Sequence, residues 1–357
     1  MFKKHAYYFL FFFSTVSISF AQDEKIIGLS NSVFSLKTFE KQQDRHLAII
    51  DSFYNQNSFK AQFNYINIII EGSRLRNIKK LEAAAEISKG NFYIGTGNYF
   101  NSIESFNRTA VIFERLNDYS GLSTAHANLG NAYFYNGDLN KALFYYNLAV
   151  SDYKKIKKLK PDSEIKLANS YNSLGTIYCS QRDFVYGKTY FDLAYAIWAK
   201  HNDSLSLAYI LNNYANIFFE TKKMDSALYY FNKALELKLI HGNNFDKADA
   251  YNNLADYYMK NKNPVLGIEK VKMGFKYLDT TNYSRQLITC YGSLTEGYHA
   301  LKDYKNELKY YKLFKLSSDS LSSRAQQTQI TRLELTHEFD RIHLSDSIKA
   351  MEEIKLK

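Results

Sequence analysis

The sequence predicts an all-α solenoid of about seven 40-residue helical pairs followed by a C-terminal helix. Three observations carry that expectation: aromatic residues recur in register every forty residues, small and apolar residues flank them three and four apart, and residues that turn strands are scarce. With 2 prolines and 15 glycines in 357 residues, the chain lacks the turn chemistry of a many-stranded β protein. A hydrophobic share of 46% against 23% charged excludes a disordered or collagen-like chain and requires a large core. The 31 Tyr and 26 Phe, beside one Trp, predict a core of rings spaced along helices.

The first helix of each unit is marked by Asn128-Leu129-Gly130-Asn131-Ala132-Tyr133, which recurs in altered form as Ser173-Leu174-Gly175-Thr176-Ile177-Tyr178 and around Ala215, Leu254, Leu294 and Gly90, and more faintly as Ile49-Ile50-Asp51-Ser52-Phe53. The closing aromatics Phe53, Tyr93, Tyr133, Tyr178, Phe218, Tyr258 and Tyr298 are spaced 40, 40, 45, 40, 40 and 40 residues apart. Thirteen residues after each comes Ile66, Phe106, Tyr146, Phe191, Phe231, Val271 or Tyr311, usually with a small residue three further on, which predicts a second amphipathic helix. The turn between the two helices shows at Gly97-Asn98, Gly137-Asp138, Arg182-Asp183 and Lys302-Asp303.

These residues resemble the tetratricopeptide repeat, with Leu-Gly-x-x-Tyr in the first helix and Ala, aromatic, Ala in the second. The match is strong through Ala142-Tyr146-Ala149, Gly187-Phe191-Ala194 and Ala227-Phe231-Ala234, and weakens at Gly267-Val271-Gly274 and Glu307-Tyr311-Phe314. The resemblance implies a right-handed αα superhelix over residues 43–327. A period of 40 in place of the usual 34 implies longer helices and a deeper groove. Each pair alone cannot bury its apolar face, so stability should accumulate along the array.

Residues 1–21 read as a secretory signal peptide: Lys3 and Lys4, an apolar run from Ala6 to Phe20, and small residues at Ser19 and Ala21. The run is short for a membrane span, which needs roughly 20 residues; an uncleaved anchor is the alternative. Cleavage leaves 336 residues with 44 basic and 36 acidic side chains, an exported chain expected in the periplasm or at the cell envelope, where nucleic acid is not an expected partner. Residues 22–42 are then a leader. The stretch 328–357 is either a helix capping the last repeat or, through Leu333-Glu334-Leu335 to Arg341, a segment similar to the connector helix of bacterial sensors. In that family an exported repeat array is joined to a membrane span and a signalling output.

In such solenoids the first helices line the concave face, and here that face is rich in asparagine. Asn91, Asn131 and Asn216 follow the small residue directly, with Asn128, Asn213 and Asn253 one turn earlier, so spacing of three puts Asn128 over Asn131 and Asn213 over Asn216. An amide offers both donor and acceptor, so a ladder of them can pair with the backbone of an extended peptide. Alternatively these amides bond one another and stiffen the stack. Phe134, Tyr135, Phe219 and Met259 are candidates for apolar pockets beside the ladder. The Lys and Arg of a carboxylate clamp are absent from these positions.

The sequence offers no catalytic or metal motif. None of the eight histidines lies three or four residues from another, so no zinc face is expected. Cys179 and Cys290 fall in units three apart and are expected to be free thiols in the core or groove. Gly95-x-Gly97 lacks a third glycine and follows no strand, which leaves no nucleotide loop. The lysines from Lys154 to Lys160, ahead of Pro161, suit a helix C-terminus, with an anionic docking patch as the alternative. No enzyme and no cofactor is expected. The functional expectation is a module binding a protein or extended peptide, serving as the sensory part of a signalling system with a membrane signalling partner; the alternative is a structural scaffold for envelope complexes.

Overall fold

The computed structural model describes residues 24–322 except 57 and 279–284. Among them the only regular elements are α-helices. The signal peptide and the 328–357 segment lie outside the described residues. The chain divides into two compact units, with described residues 24–155 in the first and 156–322 in the second.

The first unit opens with α1 (24–34), followed by three antiparallel pairs: α2 (Phe39–Asn55) with α3 (Phe59–Leu75), α4 (Lys79–Gly95) with α5 (Tyr99–Arg115), and α6 (Tyr119–Tyr135) with α7 (Leu139–Lys154). The second unit holds four: α8 (Pro161–Ser180) with α9 (Phe184–Lys200), α10 (Ser204–Glu220) with α11 (Met224–His241), α12 (Asn244–Lys260) with α13 (Pro264–Phe275), and α14 (Arg285–Ala300) with α15 (304–322). Helices α1 and α2 both begin inside the segment read from the sequence as leader. Ile26 and Val33, on one face of α1, are buried in the same apolar cluster as Ile49 and Phe53 of α2.

The repeat register has a backbone cause. In every pair the carbonyl of the closing aromatic accepts a hydrogen bond from the N–H five residues on: Phe53 from Ser58 at 2.9 Å, Tyr93 from Asn98 at 2.9 Å, Tyr133 from Asp138 at 3.0 Å, Tyr178 from Asp183 at 2.9 Å, Phe218 from Lys223 at 2.8 Å, Tyr258 from Asn263 at 2.8 Å and Tyr298 from Asp303 at 3.0 Å. This six-to-one bond ends a helix through one left-handed residue. That residue is Gly97 or Gly137 in the first unit, and Arg182, Lys222, Lys262 or Lys302 in the second, with φ between 57° and 83°. The donor is in most cases also the N-cap of the next helix, as where the side chains of Asn98, Asp138, Asp183, Asn263 and Asp303 accept from the backbone three residues on. Both prolines, Pro161 and Pro264, stand at the start of a helix, where no N–H is needed.

Side chains complete the register. The aromatic thirteen residues on lies over the small residue of the first helix: a Cβ on Gly90 would stand 2.4 Å from Phe106, one on Gly130 2.8 Å from Tyr146, and one on Gly175 2.6 Å from Phe191. Where that residue is Ala215 or Ala255, its buried partners are Phe231 and the smaller Val271. Tyr311, in the last pair, departs and is 50% exposed. A second layer lies one residue earlier. Tyr133–Tyr145, Tyr178–Tyr190, Phe218–Tyr230 and Tyr298–Tyr310 stack nearly parallel, with planes 2° to 10° apart and centroids 5.2 to 5.5 Å apart.

Candidate functional site

In the second unit the first helices α8, α10 and α12 stand side by side, joined by amides. Asn213 Nδ2 donates to Asn172 Oδ1 at 3.1 Å, and Asn253 Nδ2 donates to Asn212 Oδ1 at 2.8 Å. Asn252, the next residue in register, accepts from the Cys290 thiol of α14 at 3.2 Å. Thus Asn213 and Asn253 bond to amides of the neighbouring helix, the stiffening role left open by the sequence. Asn216 lies one turn beyond Asn213 and is exposed.

The Asn253 amide also donates to Asp249 Oδ2 at 3.3 Å, the oxygen that takes the Lys238 ammonium at 2.7 Å. Lys238 is wholly buried under the Tyr209 ring, 4.5 Å from its centroid. The Tyr209 hydroxyl donates to Asp246, a buried carboxylate that also caps the Asn243 N–H at 3.0 Å. Burial and this carboxylate hold the Tyr209 hydroxyl well above the usual phenol range. A chain of bonds therefore runs from a buried cation out to the amide row.

Between α8, the start of α9 and α10 lies a pocket of about 420 Å³. Its walls include Phe184, Phe191, Ile217 and Cys179; Thr176, Ser180, Asn213 and Asn216 line it too, and Arg182 and Glu220 form a pair at 3.3 Å. Burial, and next to it the Asp183 carboxylate, push the Cys179 thiol up to about 11. Two of the asparagines singled out in the sequence thus meet in one cavity, whose apolar walls the sequence did not indicate. Of the apolar candidates, Met259 packs inward against Gly267 and Gly297, where a Cβ would lie within 2.7 Å of it. Phe219 lies beneath the Lys222 and Lys260 ammonium groups, at 5.8 and 5.7 Å.

In the first unit, Asn91 on α4 is exposed, while Asn128 and Asn131 on α6 are half-buried. Asn131 Oδ1 accepts from the Tyr146 hydroxyl at 2.5 Å, which ties it to its own pair; Phe134 is half-buried beside it and Tyr135 exposed. Cys290 is buried and Cys179 half-buried, both as free thiols. Among the described residues no cluster of three or more His, Cys, Asp or Glu is placed to hold a metal, and no helix is long and apolar enough to cross a membrane.

With this architecture in view, the comparisons with known proteins are specific about the fold. Residues 81–155 and 166–239 match the tetratricopeptide repeat model. These segments are tetratricopeptide repeats, and the other described residues continue the same all-α architecture of helical pairs. No curated protein matches the sequence. Among solved structures, a signal transduction ATPase with numerous domains from Pyrococcus horikoshii, a protein with a tetratricopeptide repeat sensor, is similar with a TM-score of 0.61 at 16% identity, over 83% of this chain and 46% of that one. The apo quorum sensor NprR from B. thuringiensis has a TM-score of 0.55 at 15% identity, over 90% and 95% of the two chains. A Rap protein in complex with competence and sporulation factor has a TM-score of 0.52 at 13% identity, over 82% and 80%. At these identities the likeness concerns the fold.

Proposed function

We propose that this chain is an exported, non-catalytic binding module that holds an extended peptide or protein segment on the face made by α8, α10 and α12. The observation that carries the reading is the division of labour among the amides. Asn213 and Asn253 are spent on fixing neighbouring helices, which leaves Asn216 exposed at the pocket rim on a braced frame. A pre-fixed donor and acceptor reduces the ordering cost of gripping a flexible chain. The Rap protein, solved in complex with competence and sporulation factor, and the quorum sensor NprR support the reading by analogy of fold.

In this reading the signal peptide delivers the module to the cell envelope, and the segment 328–357 carries the bound state to a membrane signalling partner. Binding is tested by titrating the full chain with pooled synthetic peptides. Asn216→Ala should weaken binding by about tenfold, the equivalent of one charge-free hydrogen bond lost in a desolvated site, with an unchanged helical signal. Undiminished binding would sink the groove assignment. Export is tested by sequencing the N-terminus of the mature protein, expected to begin at Gln22.

A further inference from the structure

We propose that the pocket between α8 and α10 takes one uncharged, apolar side chain of an extended peptide whose backbone meets the Asn216 amide at the rim. This rests on the peptide-binding reading and adds the class of side chain the site selects.

The inference comes from asking which polar groups of the pocket remain available. Thr176 Oγ1 donates to the Asn172 carbonyl at 2.9 Å, and Ser180 Oγ to the Ile177 carbonyl at 2.7 Å. The Asn213 amide is engaged with Asn172, and Arg182 and Glu220 neutralise each other at 3.3 Å. Cys179 is a protonated thiol at neutral pH because burial pushes its pKa up to about 11. Its sulfur is held from behind by Gly187, where a Cβ would lie 2.3 Å from Sγ. What remains is a wall of Phe184, Phe191 and Ile217 with the Asn216 amide at its edge.

A charged side chain entering this cavity would exchange water for apolar walls, the Asn216 amide and an Arg182–Glu220 pair that is already engaged and solvent-exposed, whereas an apolar one gains by leaving water. A volume of about 420 Å³ lies at the lower end of the ~300–1,000 Å³ typical of cavities that enclose small ligands, enough for one large side chain with its flanking backbone.

Cys179 supplies the readout. It lines the pocket, whereas Cys290 is fully buried and reports only unfolding. The full chain is mixed with short synthetic peptide pools, random except for a central residue fixed as Phe or Leu, as Lys, or as Glu. Affinity is measured by titration, and alkylation of each cysteine by N-ethylmaleimide is followed by mass spectrometry. The Phe and Leu pools should bind at least about tenfold more tightly than the charged pools, within the range one pocket contact can discriminate, and should slow Cys179 alkylation several-fold. Ser180→Trp, at an exposed position on the pocket lining, should abolish that preference while keeping the helical signal. Equal binding of all pools, a preference for Lys or Glu, unchanged Cys179 alkylation, or a preference that survives Ser180→Trp would each overturn the proposal. If binding in those cases still depends on Asn216, the groove reading stands without the pocket. If no pool binds, both fall.

Discussion

Lys238 reaches Asp249 from inside the core: its side chain is 1% exposed, and its ammonium lies 2.7 Å from a carboxylate that is 36% exposed. Because Asp249 also takes the Asn253 amide, this pair connects the packing of α11 to the row of amides on α10 and α12.

Lys238→Met should remove the cation and leave Asp249 with the Asn253 amide. Breaking a fully buried pair costs roughly 3–5 kcal/mol; with Asp249 partly in water, about 2 kcal/mol is expected, read as a lower urea midpoint for the second unit. Lys238→Met with Asp249→Asn should recover most of that loss. A double variant no more stable than the single one would show that the Lys238 stem, rather than its charge, matters.

His46 gives the first unit an acid-sensitive point. It is fully buried and stacked on Tyr65, with centroids 5.6 Å apart, and burial lowers its pKa from 6.5 to about 4. Among the described residues neither ring nitrogen has a hydrogen-bond partner. Because the folded pKa lies below the unfolded one, the unfolded chain takes up a proton first as pH falls. The neutral ring's contribution is therefore full above about 6.5 and lost progressively down to about 4, on the order of 3 kcal/mol in all. Urea unfolding at pH 7 and pH 4.5 should show that slope, and His46→Phe should remove it from the first unit.

Gly175 permits Phe191 to approach. Gly175→Ala puts a Cβ 2.6 Å from the ring, so despite its better helix propensity it should destabilise the second unit by ~1–3 kcal/mol. Phe191→Leu in the same chain should recover part of the loss. Thermal unfolding of the two variants decides it, and a stabilised Gly175→Ala would contradict the packing described.

Lys262 predicts the opposite sign. Its φ of 57° is the left-handed conformation in which a side chain costs on the order of 1 kcal/mol and glycine does not. Lys262→Gly should raise the melting temperature slightly, part of the gain being offset by the greater freedom of glycine in the unfolded chain.

The repeat was legible because each unit fixes its register twice, through the carbonyl of the closing aromatic and through the ring laid on Gly90, Gly130 or Gly175. Sequence spacing records both. Helix α1 carries no Leu-Gly signal, although Ile26 and Val33 show a helical spacing, and α2, whose Phe53 closes the first unit, begins on its Thr38 cap a few residues ahead of the array start at residue 43. At the candidate site the asparagines stood out as a class, yet their roles did not. Asn213 pairs with Asn172 and Asn253 with Asn212 across 41 residues, and no local pattern says which amides will meet. The pocket was illegible for the same reason, since Phe184 and Phe191 of α9 meet Ile217 of α10 and Cys179 of α8 only in the folded chain.

The most direct measurement replaces Asn216, in the full chain expressed in its own cells, with a photo-crosslinking residue, and replaces Tyr229 on the exposed face of α11 in a second strain; Tyr229 is 57% exposed. If α8, α10 and α12 form the binding face, irradiation should join a peptide or protein to position 216, competed away by the tightest synthetic pool, and leave position 229 without that adduct. An adduct at 229 and none at 216 would place binding on the opposite side of the repeats and contradict the groove assignment.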